Sequence, residues 1–365
     1  MLRREVLGLI ALAPLARPSR LEAQPARSQP SRSEPSRSEP SRSPPSGAER
    51  LLLARWPRLS LPFIDLGGLP TPLERAEGLS GALGVELRIK RDDLAGVPFG
   101  GSKARKLELF LGAARAEGHR AVVTSGARGS NQALALAVHA RRLGMHASLL
   151  LLPQPDDGRA QERLRLERAL GANVIAARRS DLESEAAQIA RAGERAYVIP
   201  LGGTSALGNA GYVEAGLELA AQLGEPSAIY IAAGTTGAAA GLFVGLRAGG
   251  SRGRVIAVRT SSRASASARR LRAEASGTIA FLRARDPSFP AIAIDEGLVL
   301  EDRFAGPGYA RPSEAGARAM RLAAEHGLAL DATYTAKAFA ALIATAPRGE
   351  RAVFVHTWDS RAIEV

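Results

Sequence analysis

An α/β fold built on a parallel sheet is predicted by three features of the sequence. Short apolar runs alternate with helix-patterned segments from Leu51 onward, which argues for strands covered by helices on both faces. The residues with chemistry to offer fall at the ends of those strands: Ser130 and Asn131, Gly202 and Gly203, Gly234 to Gly237, His356 and Thr357. Parallel sheets bind ligands at that edge. Finally, a chain with 49 Lys+Arg places lysine only at Lys90, Lys103, Lys106 and Lys337, one of them in the string Gly100-Gly101-Ser102-Lys103. Arginine stays protonated and cannot act as a base or form an imine, whereas lysine can do both. The plainer alternative is a surface lysine in a turn.

The run RAVVTSG (120–126) reads as a strand ending in Ser-Gly. SNQALALAVHARRLG (130–144) reads as an amphipathic helix, with Ser130 or Asn131 at its start and Gly144 at its end. ASLLLLP (147–153) is a buried strand, DGRAQERLRLERALGA (157–172) a helix and NVIAA (173–177) a strand. YVIPLGG (197–203) is a strand running into a glycine turn, and GYVEAGLELAAQLG (211–224) is a helix. SAIYIAAGTTGAAAGLFVGLRA (227–248) is a strand, a glycine-rich loop and a helix. RVIAVRT (254–260) and AVFVHTW (352–358) complete the strands.

The first fifty residues read differently. A basic start and a short apolar segment, Val6 to Ala16, have the shape of a signal peptide. Arg3-Arg4 resembles a twin-arginine export signal, and a cleavage point after Ala23 makes residues 1–23 the leader of an exported, periplasmic protein. The alternative is a cytoplasmic enzyme with an unused leader. The pentad repeat PSRSEPSRSEPSRSPP then offers almost nothing to bury, so residues 24–50 are expected to be a disordered linker.

Cysteine is absent, which excludes disulfides and thiolate chemistry. The net charge of +13 is dispersed among acids and aromatics are only 4%, and no nucleic-acid motif appears, so nucleic-acid binding is not expected. No apolar run is long enough for a stable membrane span. His356 has no second histidine nearby in sequence, so no metal site is expected. In AAGTTGAAAGL (232–242), free N–H groups and the helix dipole suit a phosphate, although the string matches neither the P-loop nor the dinucleotide fingerprint.

Taken together, KRDDLAGVPFGGSKARKLE, TSGARGSNQ, IPLGGTSALGNAGYVEA, AAGTTGAAAGL, GPGYARPSE, DATYTAKAFAAL and VFVHT resemble, in order, the D-cysteine desulfhydrase and 1-aminocyclopropane-1-carboxylate deaminase family of pyridoxal-phosphate (PLP) enzymes. The resemblance spans Leu61 to Thr357. It implies the tryptophan synthase β-like fold (fold type II), with two open three-layer αβα domains and the cofactor, pyridoxal 5'-phosphate, between them. The smaller domain, about 100–215, would be inserted into a larger one formed by 51–99 and 216–365. A homodimer acting on a small amino-acid substrate is implied as well.

The same resemblance assigns roles. Lys103 is the lysine that holds PLP as a Schiff base, with Gly100 and Gly101 allowing close approach of the backbone. Arg105 and Lys106 support the site or its fold. Asn131 faces the ring hydroxyl, and Ser130, Asn131 and Gln132 meet the substrate carboxylate. Ser130 also matches a nucleophile of the deaminase branch, and a helix N-cap is its other reading. Gly234, Thr235, Thr236 and Gly237 cradle the phosphate. Tyr309 and Tyr334 match two catalytic tyrosines, with Tyr309 also at the substrate. Thr335 and Thr357 are candidates to face the pyridine nitrogen.

This sequence departs from the family pattern at Ser102 (usually Asn), Gln132 (His), Ala238 (Thr), Ala336 (Gly) and at His356-Thr357-Trp358-Asp359, where His-Thr-Gly-Gly is usual. Trp358 is expected to narrow the pocket. The deaminase branch carries a glutamate where Thr335 stands; a neutral hydroxyl cannot keep the ring nitrogen protonated. That favours β-elimination from a D-amino acid such as D-cysteine over opening of a cyclopropane ring. The alternatives are 1-aminocyclopropane-1-carboxylate deamination and a catalytically drifted PLP or amino-acid binder.

Overall fold

A computed structural model describes residues 50–155, 158–178, 195–223 and 228–364, with positions 184 and 189. The expected leader (1–23) and most of the expected linker (24–50) lie outside the described residues. Arg50 does not behave as linker: it is 8% exposed and its guanidinium meets Glu108 at 2.5 Å. The amides of Leu51 and Leu52 donate to Glu214. The packed body therefore includes Arg50.

The strands are β1 (Leu73–Arg75), β2 (Glu86–Lys90), β3 (Ala121–Ala127), β4 (His146–Leu152), β5 (Asn173–Ala176), β6 (Tyr197–Ile199), β7 (Ala228–Ala233), β8 (Arg254–Arg259), β9 (Leu298–Glu301) and β10 (Arg351–Val355). The helices whose bounds lie among the described residues are α1 (Leu51–Arg55), α2 (Glu77–Leu83), α3 (Ala104–Ala116), α4 (Asn131–Arg142), α5 (Arg159–Ala169), α6 (Ala206–Leu223), α7 (Gly237–Ala248), α8 (Ala268–Arg285), α9 (Glu314–Glu325) and α10 (Thr335–Thr345). Six strands form one sheet in the order β1-β2-β10-β7-β8-β9, and four form another in the order β5-β4-β3-β6. Among the described residues only the edge pair β1–β2 is antiparallel.

Period-two alternation explains why the strand runs are apolar throughout. In the larger sheet Ile229, Ile231, Val255, Ala257, Val353 and Val355 join a core with α6, α7 and α8. Their neighbours Ala228, Tyr230, Ile256, Val258, Ala352 and Phe354 join a second core with α10 and parts of α2 and α9. In the smaller sheet Val122, Leu149 and Leu151 pack with α3 and α4, while Val123 and Leu150 face the other side. Both sheets are thus covered on two faces.

Helix α6 begins at Ala206, five residues before the sequence pattern suggests. Its buried hydrophobic side chains, including Ala210, Tyr212, Val213 and Leu217, lie in the core of the larger sheet. The helix runs through position 215. Backbones of α6 and α7 touch through glycine: a Cβ at Gly241 would lie 2.3 Å from the Asn209 carbonyl, and one at Gly245 would lie 2.1 Å from that of Val213. This approach sets the start of α7 beside the turn after β6, where the Thr204 and Thr235 hydroxyls meet at 2.6 Å.

All four lysines point inward. Lys90 donates to the Thr71 carbonyl, Glu218 and Gln222, and Lys106 to the Gly202 and Gly203 carbonyls. Lys337 holds the carbonyls of Ala305 and Gly308, just before Tyr309. No helix among the described residues is long and apolar enough to cross a membrane.

Candidate active site

Between the carboxyl ends of the two sheets lies a cavity of about 280 Å³. It is lined by Lys103, Ser130, Asn131, Gln132, Gly234, Thr235, Thr236, Tyr309, Tyr334 and Thr357, together with Ser102, Lys106 and Ala238. These residues are up to 255 positions apart, from Ser102 to Thr357. Parallel topology brings them together, because every strand delivers its outgoing loop to the same edge.

Lys103 closes a short 3-10 turn, Gly101–Lys103, and immediately precedes α3. Gly101 has φ +57, and a Cβ there would lie 2.8 Å from the Thr357 carbonyl. Only glycine accepts both that conformation and that contact. Burial pulls the Lys103 amine down to about 8. Lys103 is the one lysine with no carbonyl or carboxylate hydrogen-bond partner among the described residues. Lys106, one turn on, is held well below its ordinary range, first by burial and then by the charge of Lys103.

At the start of α4, Ser130 is the N-cap and its hydroxyl accepts from the Ala133 amide at 3.3 Å. That leaves the Asn131 and Gln132 amides open to the cavity, with no acceptor among the described residues. The side-chain oxygen of Asn131 and both polar atoms of Gln132 are buried without partners. At the start of α7, Thr236 adopts φ 65 and its buried hydroxyl is likewise unpartnered. The amides of Thr235, Thr236, Ala238 and Ala239 also find no acceptor among the described residues. Such a set of unmet donors in one cavity is costly unless a ligand meets them.

Three expectations are corrected. Gly237 does not line the cavity: its amide donates to the Thr235 carbonyl, and a Cβ would lie 2.2 Å from Asn209 Oδ1, so it serves packing. Thr335 does not line it either. Its hydroxyl is fully buried, donates to Asp331 Oδ1 at 2.8 Å and accepts from the Asp331 amide at 2.7 Å. The threonine that faces the cavity is Thr357. Trp358 does not narrow the pocket; its indole turns away and lies under Arg159 of α5, with the guanidinium carbon 5.1 Å from the ring centroid.

Tyr309 and Tyr334 share a hydrogen bond of 2.8 Å, with their rings edge to face at 5.8 Å. Burial pushes the Tyr334 hydroxyl well above its ordinary range, and the neighbouring Tyr309 adds to this. Tyr334 therefore stays protonated. Asp331 orients it by accepting from the amides of Thr333, Tyr334 and Thr335.

Other lining residues escaped the sequence reading. Ser261, Ser262 and Ser265 follow β8, and Ser261 Oγ donates to the Gly234 carbonyl at 2.6 Å. The rule about strand ends would have found Ser261 and Ser262 in RTSS. The Asp331 cap was visible as Asp four residues before Thr335. Arg163 of α5 is buried beside the tyrosine pair, and its helical spacing gave no sign of that.

The comparisons with known proteins agree with this geometry. The family description "Pyridoxal-phosphate dependent enzyme" matches residues 64–357. The chain is 37% identical over 305 residues to a D-cysteine desulfhydrase of Klebsiella pneumoniae subsp. pneumoniae, covering 80% of this chain and 89% of that one. It is 36% identical, with the same coverage, to a D-cysteine desulfhydrase of Salmonella choleraesuis. Among solved structures, an ACC deaminase homologue superposes with a TM-score of 0.73 at 30% identity, over 84% of this chain and 93% of that one. The processed form of threonine deaminase isoform 2 from Solanum lycopersicum superposes with a TM-score of 0.58 at 21% identity, over 86% of this chain and 89% of that one, a likeness of fold. The chain belongs to the family of pyridoxal-phosphate dependent enzymes and has the fold type II architecture of that family.

Proposed function

We propose that this protein is a D-cysteine desulfhydrase-like lyase. It would eliminate a group from Cβ of a small D-amino acid and release a 2-oxo acid and ammonia; for D-cysteine plus water these are pyruvate, sulfide and ammonia. The observation that carries the reading is the isolation of Lys103: three lysines spend their amines on carbonyls or acids, and the fourth opens into a cavity rimmed by two helix starts and a tyrosine pair.

The residues fit pyridoxal phosphate. The four open amides at the start of α7 and the Thr236 hydroxyl would meet the phosphate. The Asn131 side chain would meet the ring hydroxyl, Thr357 the ring nitrogen, and Lys103 the aldehyde carbon. When bound, the cofactor supplies an electron sink for charge developing at Cα. The Asn131 and Gln132 amides would hold the substrate carboxylate and so orient the Cα–H bond. Lys103, with its amine free, would take the Cα proton at Nζ. Tyr309 would present its hydroxyl to the leaving group, held in place by its 2.8 Å hydrogen bond with the protonated Tyr334. The hydroxyl facing the ring nitrogen is neutral whether it belongs to Thr335 or to Thr357, so the preference for elimination over ring opening carries over to Thr357.

The test is a comparison of 2-oxo acid formation from D-cysteine, other D- and L-amino acids and 1-aminocyclopropane-1-carboxylate. D-Cysteine or a close D-analogue is expected to be fastest. Preference for the cyclopropane sinks the argument from the neutral hydroxyl, and absence of turnover with cofactor firmly bound points to a binder.

A pH dependence follows from the Lys103 amine. With its pKa drawn down to about 8, the neutral nucleophile increases from pH 7 to pH 9. Capture of pyridoxal phosphate by the apoprotein should therefore accelerate roughly tenfold over that range and then level off. Stopped-flow absorbance measures it. A flat profile, or a rise continuing beyond pH 10, contradicts the assignment.

A further inference from the structure

We propose that Asp359, clamped by Arg361, is a positioning residue that fixes the turn carrying Lys103. The inference rests on the reading of Lys103 given above.

The segment before Lys103 is intrinsically soft. Glycine occupies positions 96, 100 and 101, within eight residues of the lysine, and glycine loses more freedom on ordering than any other residue. Something outside the turn has to restrain it. Part of the restraint comes from backbone: the Ser102 amide donates to the Thr357 carbonyl at 3.1 Å, and Gly101 lies against the same carbonyl. His139 Nε2 meets the Phe99 carbonyl at 2.6 Å.

The rest comes from a side chain that the family pattern, with glycine at this position, does not supply. The Gly100 amide donates to Asp359 Oδ2 at 2.9 Å, out of solvent. Asp359 is 5% exposed. Three Arg361 nitrogens complete its coordination: the amide and Nε donate to Oδ1 at 2.9 and 2.8 Å, and Nη2 to Oδ2 at 2.5 Å. Arg361 Nη2 also reaches the Gly96 carbonyl at 2.7 Å. A closed chain of hydrogen bonds therefore runs from Gly96 through Arg361 and Asp359 to Gly100, bracketing the loop that feeds the lysine. Charge-assisted bonds of this kind are about twice as strong as neutral ones and fix direction as well as distance.

Neither Asp359 nor Arg361 lines the cavity. Their effect therefore passes through the backbone of Gly100 to Lys103. A displacement of about 1 Å at a reacting atom can cost on the order of a hundredfold in rate.

The experiment uses the full chain, as holoenzyme and as apoprotein reloaded with pyridoxal phosphate, in Asp359→Ala, Asp359→Asn and Arg361→Gln forms. Asp359→Ala is expected to slow cofactor capture and lower kcat by roughly tenfold to a hundredfold, with KM within about twofold. Its visible circular dichroism should weaken in parallel. Asp359→Asn keeps an oxygen for the Gly100 amide and should recover most of both rates. Arg361→Gln, which leaves the Asp359–Gly100 bond, should fall between and serves if Asp359→Ala does not fold. Wild-type rates and dichroism in Asp359→Ala overturn the proposal. Equal loss in Asp359→Ala and Asp359→Asn, in step with loss of thermal stability, overturns it as well. Borohydride labelling at a lysine other than Lys103 in the wild type overturns the Lys103 reading and this proposal with it. Labelling at Lys103 with unchanged variant rates overturns this proposal alone.

Discussion

Lys103→Ala is expected to lower kcat for 2-oxo acid formation by on the order of 10³-fold while leaving the fold intact. The side chain ends in the cavity and makes no hydrogen bond to a carbonyl or carboxylate among the described residues, so its removal orphans nothing. Lys106 lies one turn along on the same lining, but its amine is spent on the Gly202 and Gly203 carbonyls at 3.3 and 3.2 Å. It therefore cannot replace Lys103 without releasing the turn after β6. Lys103→Arg should be no better than alanine, because a guanidinium keeps its proton and cannot take one from Cα. Steady-state kinetics and borohydride reduction with peptide mapping check this together. Retention of more than about a tenth of wild-type kcat, or a label on Lys106, would show that the catalytic lysine has been misassigned.

Glu218→Ala should have the opposite signature: the protein loses stability first, and activity only with it. Glu218 on α6 receives Arg105 Nη1 at 2.8 Å and Lys90 Nζ at 2.7 Å, and Arg105 also binds Asp92 at 2.8 Å. All four side chains are at most 2% exposed. Burial alone would raise the Glu218 carboxyl, but Arg105 and Lys90 hold it down at about 2. Removing the carboxylate leaves two buried cations facing a single Asp92, a loss of about 3–5 kcal/mol. The midpoint of thermal unfolding should drop by roughly 10 °C. The network joins β2, the start of α3 and α6, which places the helix that follows Lys103 on the larger sheet. Because the folded pKa lies below the ordinary carboxylate value, the stabilisation is present above about pH 4.5 and is lost as pH falls toward 2. A variant with unchanged stability at neutral pH would mean that the cations are solvated in some other way.

The contrast between these two variants shows what could be read early. A lysine next to glycines in an arginine-rich chain singled out Lys103 as a candidate, with a surface lysine as the plainer alternative, and the motif resemblance decided between them. Nothing local distinguished Lys90, Lys106 and Lys337 as buried clamps, because their carbonyl and carboxylate partners lie 19 to 128 residues away. Trp358 looked like an obstruction because its usual counterpart is glycine. Its direction was decided by Arg159, on a helix of the other sheet.

By itself the sequence determined the alternation of strand and helix, the N-cap at Ser130, the glycine turn at Lys103 and the small-residue start of α7. These are properties of residue period and backbone freedom, which act over a few positions. Tertiary structure alone decided which of two threonines faces the cavity, which glycine serves packing, and which acid steadies the Lys103 turn. Each of those choices depends on which hydrogen-bond partner reaches a group first. Except at Thr335, whose partner Asp331 is four residues back, the partners come from distant segments. They meet only after the parallel strands deliver their ends to one edge.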